Sequence, residues 1–250
     1  MQKTTDLFGS TRNVVTNRYA LLTPSGFVPG YLPGWEKAVC NVLISPAMGA
    51  RFSQVLVTLE KEGLCHGNTG KNQYFMYVLE GSASLMLDER KHRLEPGSYA
   101  YLPPGKDIQL KSASAGTRVW IFQKAYQPLR GVESPAGLVG HERDIKGQPF
   151  LGNEDARLQV LLPDQPAFDM AVNVFTYQPG ATLPFVETHI MEHGLVMLKG
   201  QGIYRLDSDW HPVQAGDVIW MAPYCPQWFV AMGKTPASYI YYKDVNRDPM

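Results

Sequence analysis

The stretch PGATLPFVETHIMEHGLVMLKG, Pro179 to Gly200, decides how the fold is read. Its centre, HIMEH (His189 to His193), fits H-x-x-E-H, a zinc-peptidase pattern that needs both histidines on one face of a helix. A helix is a poor reading here. Pro184 precedes the motif, Gly194 follows it at once, and LVMLKGQG reads as strand and turn. Such a peptidase also needs a further acidic ligand on a following helix, and no helical period appears in the rest of the chain. On an extended strand, side chains alternate between faces, so Glu187 and His189 share one. His193 keeps that parity and can rejoin the face after a turn, whereas Glu192 has the opposite parity and is expected to face away.

The surroundings agree with strands. Short runs such as SQVLVTLE, SASLML, RVWIFQK, VNVFTYQ, GIYRLD, DVIWMAP and SYIYYKD are bounded by Gly, Pro, Asp or Asn. Nineteen prolines and 23 glycines supply the turns, which predicts an all-β chain. Lys plus Arg (23) balances Asp plus Glu (23), so no basic surface is offered to nucleic acid or to an anionic membrane. No apolar run reaches the roughly 18 residues of a membrane span. The opening MQKTTDLFGSTRNVVTNRY lacks the apolar segment of a signal peptide. Three widely spaced cysteines, Cys40, Cys65 and Cys225, form no disulfide framework and no metal knuckle. A cytoplasmic protein in a reducing compartment is expected.

Aligned with itself at an offset of 119 residues, the chain matches in order without a gap. Leu79 meets Leu198, Gly81 meets Gly200, Leu87 meets Leu206 and Asp88 meets Asp207. His92 then meets His211, Gly97 meets Gly216, Pro104 meets Pro223 and Lys124 meets Lys243. Glycine at a tight turn is a backbone requirement, so these matches carry structural weight. The predicted organisation is an N-terminal arm with extra strands (1–34), a first unit (35–130), a turn-rich connector (131–150) and a second unit (151–250). The arm is expected to pack on a neighbouring unit.

Each unit resembles a cupin, a double-sheet jelly-roll barrel, so the chain is expected to be a bicupin. In the second unit the resemblance rests on Pro179–Gly200 and on AGDVIWMAPYCPQWF (Ala215 to Phe229); in the first it rests on EPGSYAYLPPGKDIQL (Glu95 to Leu110). The resemblance implies a metal site at Glu187, His189, His193 and Gln227. Subtracting 119 gives Asn68, Gly70, Tyr74 and Ile108, none of them a histidine or carboxylate. The first unit is therefore expected to be metal-free. Two imidazoles, a carboxylate and an amide oxygen suit Mn²⁺, with Fe²⁺ next and Zn²⁺ behind. His92, His141 and His211 are read as structural.

Nearly the whole chain resembles the (S)-ureidoglycine aminohydrolases, manganese-dependent bicupins of allantoin and purine-nitrogen catabolism. The resemblance is carried by ALLTPSGFVPGYLPGW (Ala20 to Trp35), LISPAMGARF (Leu43 to Phe52), SYAYLPPG (Ser98 to Gly105), Lys199–Phe229 and YIYYKDVNRDPM (Tyr239 to Met250). It implies hydrolysis of ureidoglycine to ureidoglycolate and ammonia, with Tyr204, Tyr239 and Lys243 lining the substrate pocket. Glu187 is a candidate for double duty as ligand and proton acceptor. A small-molecule substrate and a homo-oligomer are expected. The competing readings are another metallocupin enzyme, such as an Fe-dependent dioxygenase or an isomerase, and a non-catalytic ligand-binding bicupin.

Overall fold

The computed structural model describes residues 11–248, so residues 1–10 of the arm and the last two lie outside the described residues. Apart from three short 3₁₀ turns, every regular element described is a strand. Among the described residues no helix is long and apolar enough to cross a membrane.

The first unit is a nine-stranded sheet folded on itself. It runs Leu138–His141, Ser98–Leu102, Asn72–Glu80, Thr117–Ala125, Ser53–Asn68, Asp107–Ser112, Ala83–Leu87 and Arg90–Leu94, with Trp35–Ile44 also paired to Ser53–Asn68. The hinge of this arrangement is the 16-residue strand Ser53–Asn68, which pairs with Thr117–Ala125 at one end and with Asp107–Ser112 at the other. The second unit has the same strand succession but two separate sheets. An eight-stranded sheet contains Val218–Met221, His193–Lys199, Ala237–Asp244 and Met170–Tyr177, and a three-stranded sheet contains Asp209–Gln214, Gln201–Leu206 and Gln227–Met232. Here the counterpart of the long strand stops at Tyr177. Only two isolated bridges, Thr182 to Val230 and Glu187 to Gln227, carry the pairing onward.

Turn geometry bears out the repeat. Gly81 and Gly200 have φ of 76° and 71°, Gly97 and Gly216 have 88° and 90°, and Asp88 and Asp207 have 48° and 57°. The ungapped register nevertheless slips before the last strand. Tyr77 and Val196 are 119 apart, whereas their cross-strand partners Trp120 and Ile240 are 120 apart. The structural counterpart of Lys243 is therefore Gln123, and that of Lys124 is Asp244. The matched lysines have different surroundings: Lys124 is buried against Asp169, while Lys243 faces the interior of the second unit.

Strand alternation sorts the apolar residues into three bodies. Val119 and Ile121 point into the first barrel, among Val57, Leu59, Met76 and Leu85. Tyr239 and Tyr241 point into the second, among Leu195, Tyr204 and Phe229. Trp120 and Phe122 from one unit meet Ile240 and Tyr242 from the other in a third cluster between them, with Phe52, Phe75 and Trp220. Strands buried on both faces lose their polar alternation, which is why RVWIFQK and SYIYYKD read as nearly continuous apolar runs. Each fully buried large aliphatic or aromatic side chain contributes about 1.5–3 kcal/mol, so this shared layer binds the two units firmly.

The arm joins the second unit. Tyr19–Leu22 pairs with Val218–Met221, and Arg12 makes a two-pronged 2.8 Å contact with the buried Asp217. The connector is divided: Leu138–His141 extends the first sheet and Gln148–Phe150 extends the second.

Candidate functional site

The segment 178–192 is irregular, and the strand begins at His193, so the H-x-x-E-H pattern lies on no helix. The chain is held there by backbone bonds from elsewhere. Glu187 and Gln227 exchange two N–H···O bonds of 2.9 Å, and the Tyr224 N–H donates to the His189 carbonyl at 2.8 Å. Tyr224 takes a left-handed conformation (φ 59°) where the first unit uses Gly105 (φ 76°). A tyrosine in that region is strained by about 1–2 kcal/mol, and the strain sits beside the candidate ligands.

A cavity of about 140 Å³ opens into the second barrel, and Glu187, His189, His193, Gln227, Tyr204, Tyr239 and Lys243 all line it. Four strands, His193–Lys199 among them, and one irregular segment bring them together. Tyr239 and Lys243 come from Ala237–Asp244, Tyr204 from Gln201–Leu206 and Gln227 from Gln227–Met232. His193 stands directly opposite Lys243 across the sheet. The volume suits a small metabolite rather than a polymer.

One hydrogen-bonded chain orders the polar groups. The Tyr204 hydroxyl donates to Gln227 Oε1 at 3.2 Å, and Gln227 Nε2 lies 3.1 Å from His189 Nε2. His189 Nδ1 lies 3.2 Å from the Met191 carbonyl, which assigns the proton to Nδ1 and leaves a lone pair on Nε2. His193 is sandwiched between the His189 ring (4.8 Å) and the Tyr241 ring (5.4 Å, 12° between planes). Its Nε2 is buried and has no hydrogen-bond partner. Leaving such a group unpaired costs about 1–3 kcal/mol.

The electrostatics favour a cation. Burial pushes the Glu187 carboxyl above the usual range, against an opposing pull from Lys243. Burial likewise pushes His193 well below its ordinary value, with His189 and Lys243 adding to the effect, and it lowers His189. Two imidazoles held neutral by burial and a carboxylate deprived of water fit a divalent ion. The fit is incomplete in two respects. Among the described residues no three His, Cys, Asp or Glu side chains converge closely enough to form a ready cluster. Gln227 also presents its amide nitrogen to His189, so it can act as an oxygen ligand only after a half-turn of the amide.

Some neighbours of the site escape a reading of the sequence. Tyr241 lines the cavity and stacks on His193, and its hydroxyl accepts from Asn173 Nδ2 at 3.0 Å. It shares parity with Tyr239 and Lys243, so period two alone points to it. Tyr177, whose hydroxyl lies 3.1 Å from that of Tyr239, and Asn173 come from another strand and carry no local signal. Burial, and after it Tyr239, keeps the Tyr204 phenol protonated; burial, and after it Tyr177, does the same for Tyr239. Glu192 does face away, toward Arg51 and Trp220. His211 bonds Tyr19, and His141 caps a 3₁₀ turn through Arg143 N.

Comparison with known proteins agrees with this architecture. A family model described as a cupin domain matches residues 173–242. A protein of Arabidopsis thaliana named (S)-ureidoglycine aminohydrolase is 39% identical over 248 residues, covering 98% of this chain and 82% of that one. One of the same name from Escherichia coli K12 is 35% identical over 247 residues, covering 97% and 94%. The crystal structure of protein Ylba from E. coli superposes with a TM-score of 0.86 at 33% identity, covering 96% of this chain and 97% of that one. With identity of this order running almost from end to end, the chain belongs to the (S)-ureidoglycine aminohydrolase family.

Proposed function

We propose that this chain hydrolyses (S)-ureidoglycine to (S)-ureidoglycolate and ammonia at a Mn²⁺ site in the second barrel. The observation that carries the reading is the unpartnered, buried Nε2 of His193, set between His189 and Tyr241 in the cavity that Glu187, Gln227 and Lys243 also line. His189, His193, Glu187 and a turned Gln227 would hold the ion. When bound, Mn²⁺ would supply a positive charge that anchors the substrate and polarises it or a water molecule. The first barrel is read as metal-free and the protein as cytoplasmic.

The chain's own residues account for binding and proton movement. The substrate carbon carries a carboxylate, a ureido group and an amine. Lys243 pairs with the carboxylate, and the protonated phenols of Tyr204 and Tyr239 donate to carboxylate or ureido oxygens. A C–O bond forms as the C–N bond breaks, and the proton lost by water must reach the departing amine. Glu187, which lines the cavity together with Lys243, is placed to take up that proton and pass it on.

The test is ammonia release from freshly made ureidoglycine with Mn²⁺ supplied, with the bound metal identified by elemental analysis. Ammonia and ureidoglycolate in equal amounts support the reading. Oxygen consumption with bound iron would replace it with a dioxygenase, and no turnover of any kind with a non-catalytic binding protein.

A further inference from the structure

We propose that Arg51, contributed by the first unit, is a positioning residue for the site in the second. This rests on the reading of the metal site given above.

Arg51 stands just before the long strand Ser53–Asn68 and reaches across to two carboxylates of the other unit. Its backbone N–H donates to both oxygens of Glu192 (2.9 and 3.1 Å), and its Nε lies 3.4 Å from Glu192 Oε1. Its Nη2 lies 2.5 Å from Asp244 Oδ2. The Glu192 N–H then donates to Asp244 Oδ1 at 2.7 Å, and Trp220 Nε1 donates to Glu192 Oε2 at 3.3 Å. Glu192 is fully buried and is joined to His193; Asp244 is joined to Lys243. One arginine thus pins, side by side, the ends of the two strands that present a candidate ligand and the candidate carboxylate binder. A guanidinium matches this task, since its planar fork reaches two acceptors at once.

The repeat supplies an internal control. The mates of Glu192 and Trp220 are Gln73 and Tyr101, whose side chains also bond each other, at 2.9 Å. Gln73 in turn meets Asp169 of the second unit, which also receives Lys124, the structural counterpart of Asp244. The same clasp is therefore built twice across the interface with its charges exchanged. The Arg51 clasp backs the cavity; the Lys124 clasp is anchored on the strand end of the first unit.

The experiment compares wild type, Arg51→Met, Arg51→Lys and Lys124→Met for Mn²⁺ affinity by calorimetry, for KM and kcat, and for thermal midpoint. Both methionine variants are expected to lower the midpoint. Arg51→Met alone should weaken Mn²⁺ binding by about tenfold or more, as loss of a supporting contact does, and raise KM. Lys124→Met should stay within about twofold of wild type in affinity. Arg51→Lys should fall between wild type and Arg51→Met, and it decides the matter if Arg51→Met does not fold. Equal loss of affinity in both methionine variants, or wild-type affinity in either Arg51 variant, overturns the proposal. Wild-type protein that binds no Mn²⁺ overturns the functional reading and this inference with it.

Discussion

The two barrels share a strand plan and differ in what they place inside. Among the described residues the fully buried interior of the first is mostly aliphatic, with two cysteines (Val57, Leu59, Val78, Leu85, Leu110, Ile121 and their neighbours), and aromatic rings reach it only from the half-buried Trp35 and Tyr74. That of the second is crowded with Phe175, Tyr177, Tyr204, Phe229, Tyr239 and Tyr241. The backbone difference has the same origin. In the first unit Ser53–Asn68 runs unbroken, and Asn68 spends its side chain on Asp107 at 2.7 Å. In the second the equivalent strand ends early, and the released segment turns Glu187 and His189 into the barrel. A closed ladder satisfies its own backbone and leaves no room for chemistry; the interrupted one needs outside anchors, such as the Tyr224 N–H on His189. Duplication thus separates a barrel that is kept whole from one that is opened.

The comparison can be pressed hardest at the site. His189→Ala should abolish Mn²⁺ binding and lower kcat/KM by about 10²- to 10³-fold or more, since a bound ion is worth several kcal/mol. Elemental analysis alongside steady-state kinetics checks both, and normal metal content with a normal rate would remove the assignment. Lys243→Met should leave the metal in place while raising KM by roughly 10–100-fold, the value of a hydrogen bond to a charged group. Gln123→Met, at the equivalent place in the first barrel, should leave KM and kcat as they are.

Smaller effects test the backbone. A Cβ added at Gly194 would lie 2.2 Å from the ring of Phe52 and 2.6 Å from Gln54 Oε1. Gly194→Ala should therefore cost about 1–3 kcal/mol by overpacking the layer between the units, read from urea denaturation. The first unit carries Phe75 at the matching position, so the two halves fill that layer with unlike sizes. The last test expects no change in metal content. The quadruple change Asn68→Glu, Gly70→His, Tyr74→His and Ile108→Gln should leave metal stoichiometry at one per chain, because residue types without the strand break do not make a site. A second equivalent of Mn²⁺ would show that residue identity is enough.

Much of this was legible in the sequence because turn chemistry is local. Gly81, Gly97, Gly200 and Gly216 mark positions that need positive φ, and they set the repeat. Parity anticipated Glu187 and His189 on one side and Glu192 away from it, but the continuous strand it assumed is absent: 178–192 is irregular, and backbone bonds from Gln227 and Tyr224 hold Glu187 and His189 in place. The same rule should have added Tyr241 between Tyr239 and Lys243. The one-residue slip before the last strand was not legible, because matching lysines bridge it with a false identity. Nor was the partner of Glu192: Arg51 lies 141 residues away, and only the packed interface brings it near.

The pairing of Tyr19–Leu22 with Val218–Met221 has a consequence for how the protein is made. A ribosome releases the arm before either barrel exists, and the edge it must cover is synthesised long after it. Until then an apolar strand waits with its hydrogen-bonding groups unmatched, which invites association between nascent chains. Closure of the second barrel therefore waits for a strand made long after the one that covers it. Chains that stall late in synthesis, with the arm free and its acceptor missing, should be the ones most dependent on chaperones.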